Sequence, residues 1–138
     1  MRITSLVLFM LGSITLTLGC SSKPVEAKRV IVKGKVNFEG KPLQTGKITF
    51  DIGGGQVPAS FDILDGSYEG RAPVGNCKVT ITSFRKVSMK EKMKMDGPGY
   101  DQQTEENMLP DRYNMKSDIT REIVESGPNE FNFDLKAK

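Results

Sequence analysis

Val30-Ile31-Val32-Lys33-Gly34-Lys35-Val36-Asn37-Phe38 is the stretch that decides the fold. Val30, Val32, Gly34, Val36 and Phe38 fall on one side of a period of two, and Ile31, Lys33, Lys35 and Asn37 fall on the other. That is the mark of a strand with one face on a core and one toward water. Glu39-Gly40-Lys41-Pro42 then supplies a turn. Downstream the pattern returns. Ile48, Phe50 and Ile52 alternate with Lys47, Thr49 and Asp51 until Gly53-Gly54-Gly55 stops them. Val57, Ala59, Phe61 and Ile63 follow, with Pro58 pointing to an edge position. Asp65-Gly66 is a hairpin signal ahead of Ser67-Tyr68-Glu69. Ala72-Pro73-Val74-Gly75 turns the chain into Cys77, Val79 and Ile81, alternating with Lys78, Thr80 and Thr82.

Periodicity lapses over residues 85–108, apart from a faint helical spacing near 89–95. It resumes where Ile119 and Ile123 share one face of 118–125. Ser126-Gly127-Pro128-Asn129 turns, and Phe131, Phe133 and Leu135 alternate with Asn132, Asp134 and Lys136. Seven short strands with turns between them predict an all-β, antiparallel, seven-stranded β-sandwich over residues 29–138, with a long loop at 85–108. One apolar face per strand favours two facing sheets over a parallel sheet covered on both sides. Phe50, Phe61, Val79, Ile81, Phe131 and Phe133 are the expected core.

Upstream of the domain the chemistry changes. Arg2 is followed by the apolar run Leu6-Val7-Leu8-Phe9-Met10-Leu11 and then by the softer Gly12-Ser13-Ile14-Thr15-Leu16-Thr17-Leu18. A membrane span needs about 20 predominantly apolar residues. This stretch is shorter and interrupted by Gly, Ser and Thr, so residues 1–19 read as an export signal. Thr17-Leu18-Gly19-Cys20 resembles the lipobox of bacterial lipoproteins, with Thr17 where that pattern prefers Leu. The resemblance implies that Cys20 is lipidated, for example with palmitate. Residues 20–28 then form a polar, Pro-containing tether. The implied partner is a membrane at the cell envelope, held through acyl chains that contribute about 0.8 kcal/mol per buried methylene.

Composition narrows the function. Lys plus Arg number 20 against 17 for Asp plus Glu, a balance too even to imply a nucleic-acid partner. The chain has no His and no Trp. Without His, the usual acid/base group near neutral pH and the commonest metal ligand are both missing.

Val32-Lys33-Gly34-Lys35-Val36, Gly40-Lys41-Pro42-Leu43, Gly46-Lys47-Ile48-Thr49-Phe50, Asp65-Gly66-Ser67-Tyr68, Pro73-Val74-Gly75 and Val79-Thr80-Ile81, in that order, resemble the carboxypeptidase regulatory-like domain. The closing segments Leu109-Pro110-Asp111-Arg112-Tyr113-Asn114 and Asn129-Glu130-Phe131-Asn132-Phe133-Asp134-Leu135 look like those of small lipoproteins carrying that domain in planctomycete-type bacteria. The resemblance implies a prealbumin-like, Greek-key sandwich and an envelope location, and it implies no activity. Enzymes on related sandwiches hold iron with His and Tyr, or hydrolyse with His and Arg, and neither site can be assembled here.

Four groups of residues invite a sharper reading. Asp62, Asp65, Glu69, Asp96, Asp101, Glu105 and Glu106 could furnish a carboxylate pair for an acid-dependent hydrolase, although acidic residues on solvent faces account for them. Cys77 lies in register with Val79 and Ile81, so it is expected in the core as a small hydrophobe. Met89, Met93 and Met95 offer soft ligands for copper(I) but sit among lysines. Asp96-Gly97-Pro98-Gly99-Tyr100-Asp101 with Glu105-Glu106 offers oxygen ligands without the spacing of a dedicated calcium loop. No catalytic residue, cofactor or metal ligand is therefore assigned. In residues 85–108 a basic half, with Arg85, Lys86, Lys90, Lys92 and Lys94, precedes an acidic half across Gly97-Pro98-Gly99. The expectation is a hairpin-like excursion whose basic arm contacts a partner, against the alternative of a solvated insertion. The function expected is a non-catalytic binding or scaffolding lipoprotein for an envelope protein, peptide or glycan. The alternative is an architectural component without a specific ligand.

Overall fold

The structure, a computed structural model, describes residues 26–138. The expected signal at 1–19 and the expected lipidation site Cys20 lie outside the described residues.

The described residues form an all-β domain. Its strands are β1 (Arg29–Phe38), β2 (Lys41–Pro42), β3 (Thr45–Asp51), β4 (Ala59–Leu64), β5 (Ser67–Pro73), β6 (Gly75–Thr82), β7 (Phe84–Ser88), β8 (Gln103–Asn107), β9 (Thr120–Ile123) and β10 (Phe133–Leu135). A one-turn helix, α1 (Met89–Met93), follows β7, and a 3-10 turn spans Asp111–Tyr113. The main sheet runs β10-β1-β5-β4-β3-β6-β9, with β2 folded back on β1, while β7 and β8 form a ladder of their own. β2, β7 and β8 come in addition to the seven strands that alternation marks. They are hidden in sequence because β2 is two residues long and β7 and β8 are mostly polar on both faces.

The stretch 85–108 is not an irregular loop: Phe84–Ser88 pairs antiparallel with Gln103–Asn107, from Phe84↔Asn107 to Ser88↔Gln103. The main sheet is also not wholly antiparallel. β9 runs antiparallel to β6 and ends opposite Gly75. The chain turns there and comes back as β10 alongside β1 and parallel to it, with Val36↔Phe133 and Phe38↔Leu135 in register.

The seven-strand path is one sheet that curls into a half-barrel. β4 and β5 are joined by a tight turn. Asp65 and Gly66 both hold positive φ, 49° and 74°, as a two-residue hairpin turn requires. Yet β4 and β5 pair only at Leu64↔Ser67 beside that turn. Beyond it no ladder pair forms between them, and the Phe61 ring lies over Gly70, where a Cβ would come within 2.1 Å of the ring. Pro58 therefore precedes a strand whose second edge is mostly open rather than a sheet edge proper.

The inward faces meet around Phe50. Its ring centroid lies 6.0 Å from those of Phe61 and Tyr68 and 6.4 Å from that of Phe131. Phe50, Val79, Ile81 and Phe133 are buried as expected, whereas Phe61 and Phe131 are half-buried and pack against that cluster.

The registers define two poles. β1 starts at Arg29, opposite Pro73, and runs to Phe38, a span of roughly 33 Å. The chain preceding β1 therefore joins at the pole formed with Val74 and the end of β9. β6 runs from that pole to Thr82, so the β7–β8 hairpin leaves from the opposite one.

Candidate functional site

The hairpin is fastened at its base by short polar contacts. Buried Ser83 donates its hydroxyl to the Thr45 carbonyl at 2.7 Å. Asn107 Oδ1 accepts from the backbone N–H of Ser83 at 3.2 Å and of Leu109 at 3.1 Å. Met108 N–H donates to the Ser83 carbonyl at 2.7 Å. Ser88 caps α1, its hydroxyl accepting from Glu91 N–H at 3.1 Å, and Lys94 ends the turn in the left-handed region with φ 53°.

The five basic residues do not converge into one free patch. Arg85 is 3.3 Å from both Glu91 and Glu106. Lys90 pairs with Asp96. Lys86 stands opposite Glu105 in the ladder. Lys92 and Lys94 form no ion pair among the described residues and lie at the exposed tip. Met93 and Met95 share that tip, 52% and 51% exposed. The site the geometry leaves is small: two cations interleaved with two thioethers, at the pole away from the start of β1.

The other groups are spent differently. Asp96 and Glu106, offered for calcium, are already bound to lysine and arginine. Asp62 pairs with Lys47 at 2.7 Å on an exposed face. Among the described residues no three Cys, Asp or Glu converge as a metal site. Met89 and Met93 are the first and last residues of α1. Cys77 is a fully buried free thiol whose sulfur lies 3.5 Å from the Pro73 carbonyl oxygen. Burial, and then the charge of Asp51, push that thiol above its ordinary pKa, away from nucleophilic thiolate chemistry. Tyr68 is likewise pushed up, first by burial and further by Glu130, with Arg121 opposing. No helix of the described residues is long and apolar enough to cross a membrane.

No family model matches this chain, and no curated protein does. Among solved structures it is similar to a 9R-lipoxygenase from Cyanothece, at 14% identity and a TM-score of 0.34. The match covers 83% of this chain and 18% of that one, so this chain spans under a fifth of the lipoxygenase. A likeness at that score carries no argument about function.

The residue that sequence reasoning passed over is Arg121. It shares the period-two face of Ile119 and Ile123, and its partner across the ladder is buried Cys77, so it faces inward. A charge on an otherwise apolar face was the available signal.

Proposed function

We propose that this chain is an exported lipoprotein, lipidated at Cys20, whose domain acts as a non-catalytic binding or scaffolding module at the cell envelope. The observation that carries the reading is polar: the tether joins at one end of the half-barrel and the β7–β8 hairpin leaves from the other. A domain held at residues 20–28 would present Lys92, Met93, Lys94 and Met95 away from its own membrane. A tip of that kind suits contact with an anionic protein, peptide or glycan. The closed core supports the same reading, with Cys77 sealed and Asp96 and Glu106 engaged in ion pairs. For the fold we propose kinship with the carboxypeptidase regulatory-like, Greek-key sandwich. In that view the sparse β4–β5 ladder is the line along which two facing sheets divide, β10-β1-β5 and β4-β3-β6-β9.

The architectural alternative draws on one specific observation, the internal pairing of Arg85 and Lys90, which removes charge from any partner. The test combines fractionation with crosslinking in intact envelopes. Cys20→Ser should move the protein from membranes to the soluble fraction, and mass spectrometry of the wild type should find acyl groups on Cys20. A photocrosslinker at Lys94 should capture one defined partner, and one at Gln56, near the tether, should not. Unmodified Cys20 would overturn the anchor, and equal crosslinking from both poles would leave the architectural reading.

A further inference from the structure

The strand path has two ends, and both border one cleft. β9 is paired on one side by β6, and β10 on one side by β1. Among the described residues neither has a strand on its other side. A cleft of about 400 Å³ lies between them, lined by Thr120 and Arg121 on one wall and by Asn132, Phe133 and Asp134 on the other. It is bounded at both ends. Asn129 clasps Val124 by accepting from its N–H at 2.9 Å and donating to its carbonyl at 2.8 Å. At the other end Tyr113 Oη accepts from Lys136 N–H at 2.9 Å.

Arg121 sits in this cleft half-buried, its guanidinium carbon 5.0 Å from the Phe133 ring centroid. Nη1 donates to the carbonyl of the neighbouring Thr120 at 2.8 Å. Arg121 forms no ion pair among the described residues. A partly dehydrated guanidinium held over an aromatic ring, with most of its donor fork unused, is built to take a carboxylate. Ladder alternation sorts the remaining lining by face. Arg121, Phe133 and Leu135 are on the inward side and Thr120 and Asp134 on the outward side, and the same period carried upstream of β9 puts Ile119 inward and Asp118 outward, while the Asn132 side chain turns to accept from Lys35 N–H.

We propose that this cleft takes an extended peptide segment of a partner protein, added as a strand along the free edges of β9 and β10, with an acidic side chain on Arg121. Main-chain hydrogen bonds would supply affinity, and alternate side chains specificity. Since successive residues of a strand point to opposite faces, the two lining carboxylates set the neighbours. The acid should be flanked directly by Lys or Arg, which meet Asp118 and Asp134 outside, and by apolar residues two positions away, which meet Ile119 and Leu135 inside. This site lies at the open seam and needs neither the hairpin nor the lipid anchor.

The test is selection of a displayed library of random short peptides on the full chain held in detergent micelles. The expected winners carry a basic-acidic-basic core with apolar residues beyond it. Replacing the acid of a selected peptide by its amide should lower affinity about ten- to a hundredfold. Arg121→Gln should cause the same loss, and the two losses should not add. Amide exchange should slow at Thr120–Ile123 and Phe133–Leu135 on binding. Absence of enrichment, winners that bind Arg121→Gln as well as wild type, or protection elsewhere would overturn the proposal. If Arg121→Gln fails to fold, the acid-to-amide comparison on the wild-type protein decides alone.

Discussion

A Cβ placed on Gly34 would lie 1.8 Å from the carbonyl oxygen of Phe131, the same oxygen to which Tyr68 Oη donates at 2.8 Å. Around this point the closing segment is stitched to β1. Lys33 N–H donates to the Asn129 carbonyl at 3.1 Å, Phe131 N–H to the Lys33 carbonyl at 3.0 Å, and Lys35 N–H to Asn132 Oδ1 at 2.8 Å. The close approach needs a residue without a side chain on the inward face of β1. Gly34→Ala should therefore push Phe131 outward and cost about 1–3 kcal/mol, as overpacking does. Urea unfolding measures it, and an unchanged midpoint would refute the close approach.

Tyr68→Phe keeps the ring and removes the donor, leaving the Phe131 carbonyl without that bond. The expected cost is about 1–2 kcal/mol. The substitution also has a pH signature. The folded phenol is held above its ordinary value, first by burial, so the unfolded chain loses this proton first as pH rises. Wild-type stability from this group is complete below about pH 10 and declines above it. Alkaline unfolding titrations should show a shallower decline in Tyr68→Phe. Identical slopes would mean that the phenol is not the responsible group.

Cys77 should resist thiol reagents in the folded protein at pH 8 and react at once in denaturant. Its burial and the nearby charge of Asp51 both disfavour the thiolate. Rapid labelling of the native state, followed by mass spectrometry, is the result that would place this residue at the surface.

Asn107 accepts two backbone N–H bonds at the base of the hairpin, from Ser83 and Leu109. Asn107→Ala should cost about 1–2 kcal/mol and accelerate amide exchange across Phe84–Ser88 and Gln103–Asn107. Asn107→Asp keeps the acceptor and should restore most of that protection. Equal behaviour of the two variants would show that the clasp does not depend on this oxygen.

Ion pairs on the hairpin are exposed, so Arg85→Gln and Lys90→Gln should each change stability by less than about 1 kcal/mol. Lys92→Gln and Lys94→Gln remove charges that have no ion-pair partner among the described residues, and should leave the thermal midpoint unmoved. A several-degree drop from Lys92→Gln or Lys94→Gln would reveal a structural role for the tip.

Much of this architecture was legible in the chain itself. Strands, turns and inward faces are local matters: Val32 and Val36, Ile48 and Phe50, and Cys77, Val79 and Ile81 alternate, and Asp65-Gly66 offers the backbone a hairpin turn. The absence of His also belongs to the sequence alone. Only the tertiary structure decided which strands became neighbours, because pairing joins residues far apart and depends on the path between them. It set β10 parallel to β1, laid Phe61 over Gly70, and spent Arg85 on Glu91 and Glu106. It also left Arg121 at the seam over Phe133, where two distant sheet edges face each other. A period of two says which face a side chain takes, whereas its neighbours follow from how the sheet curls.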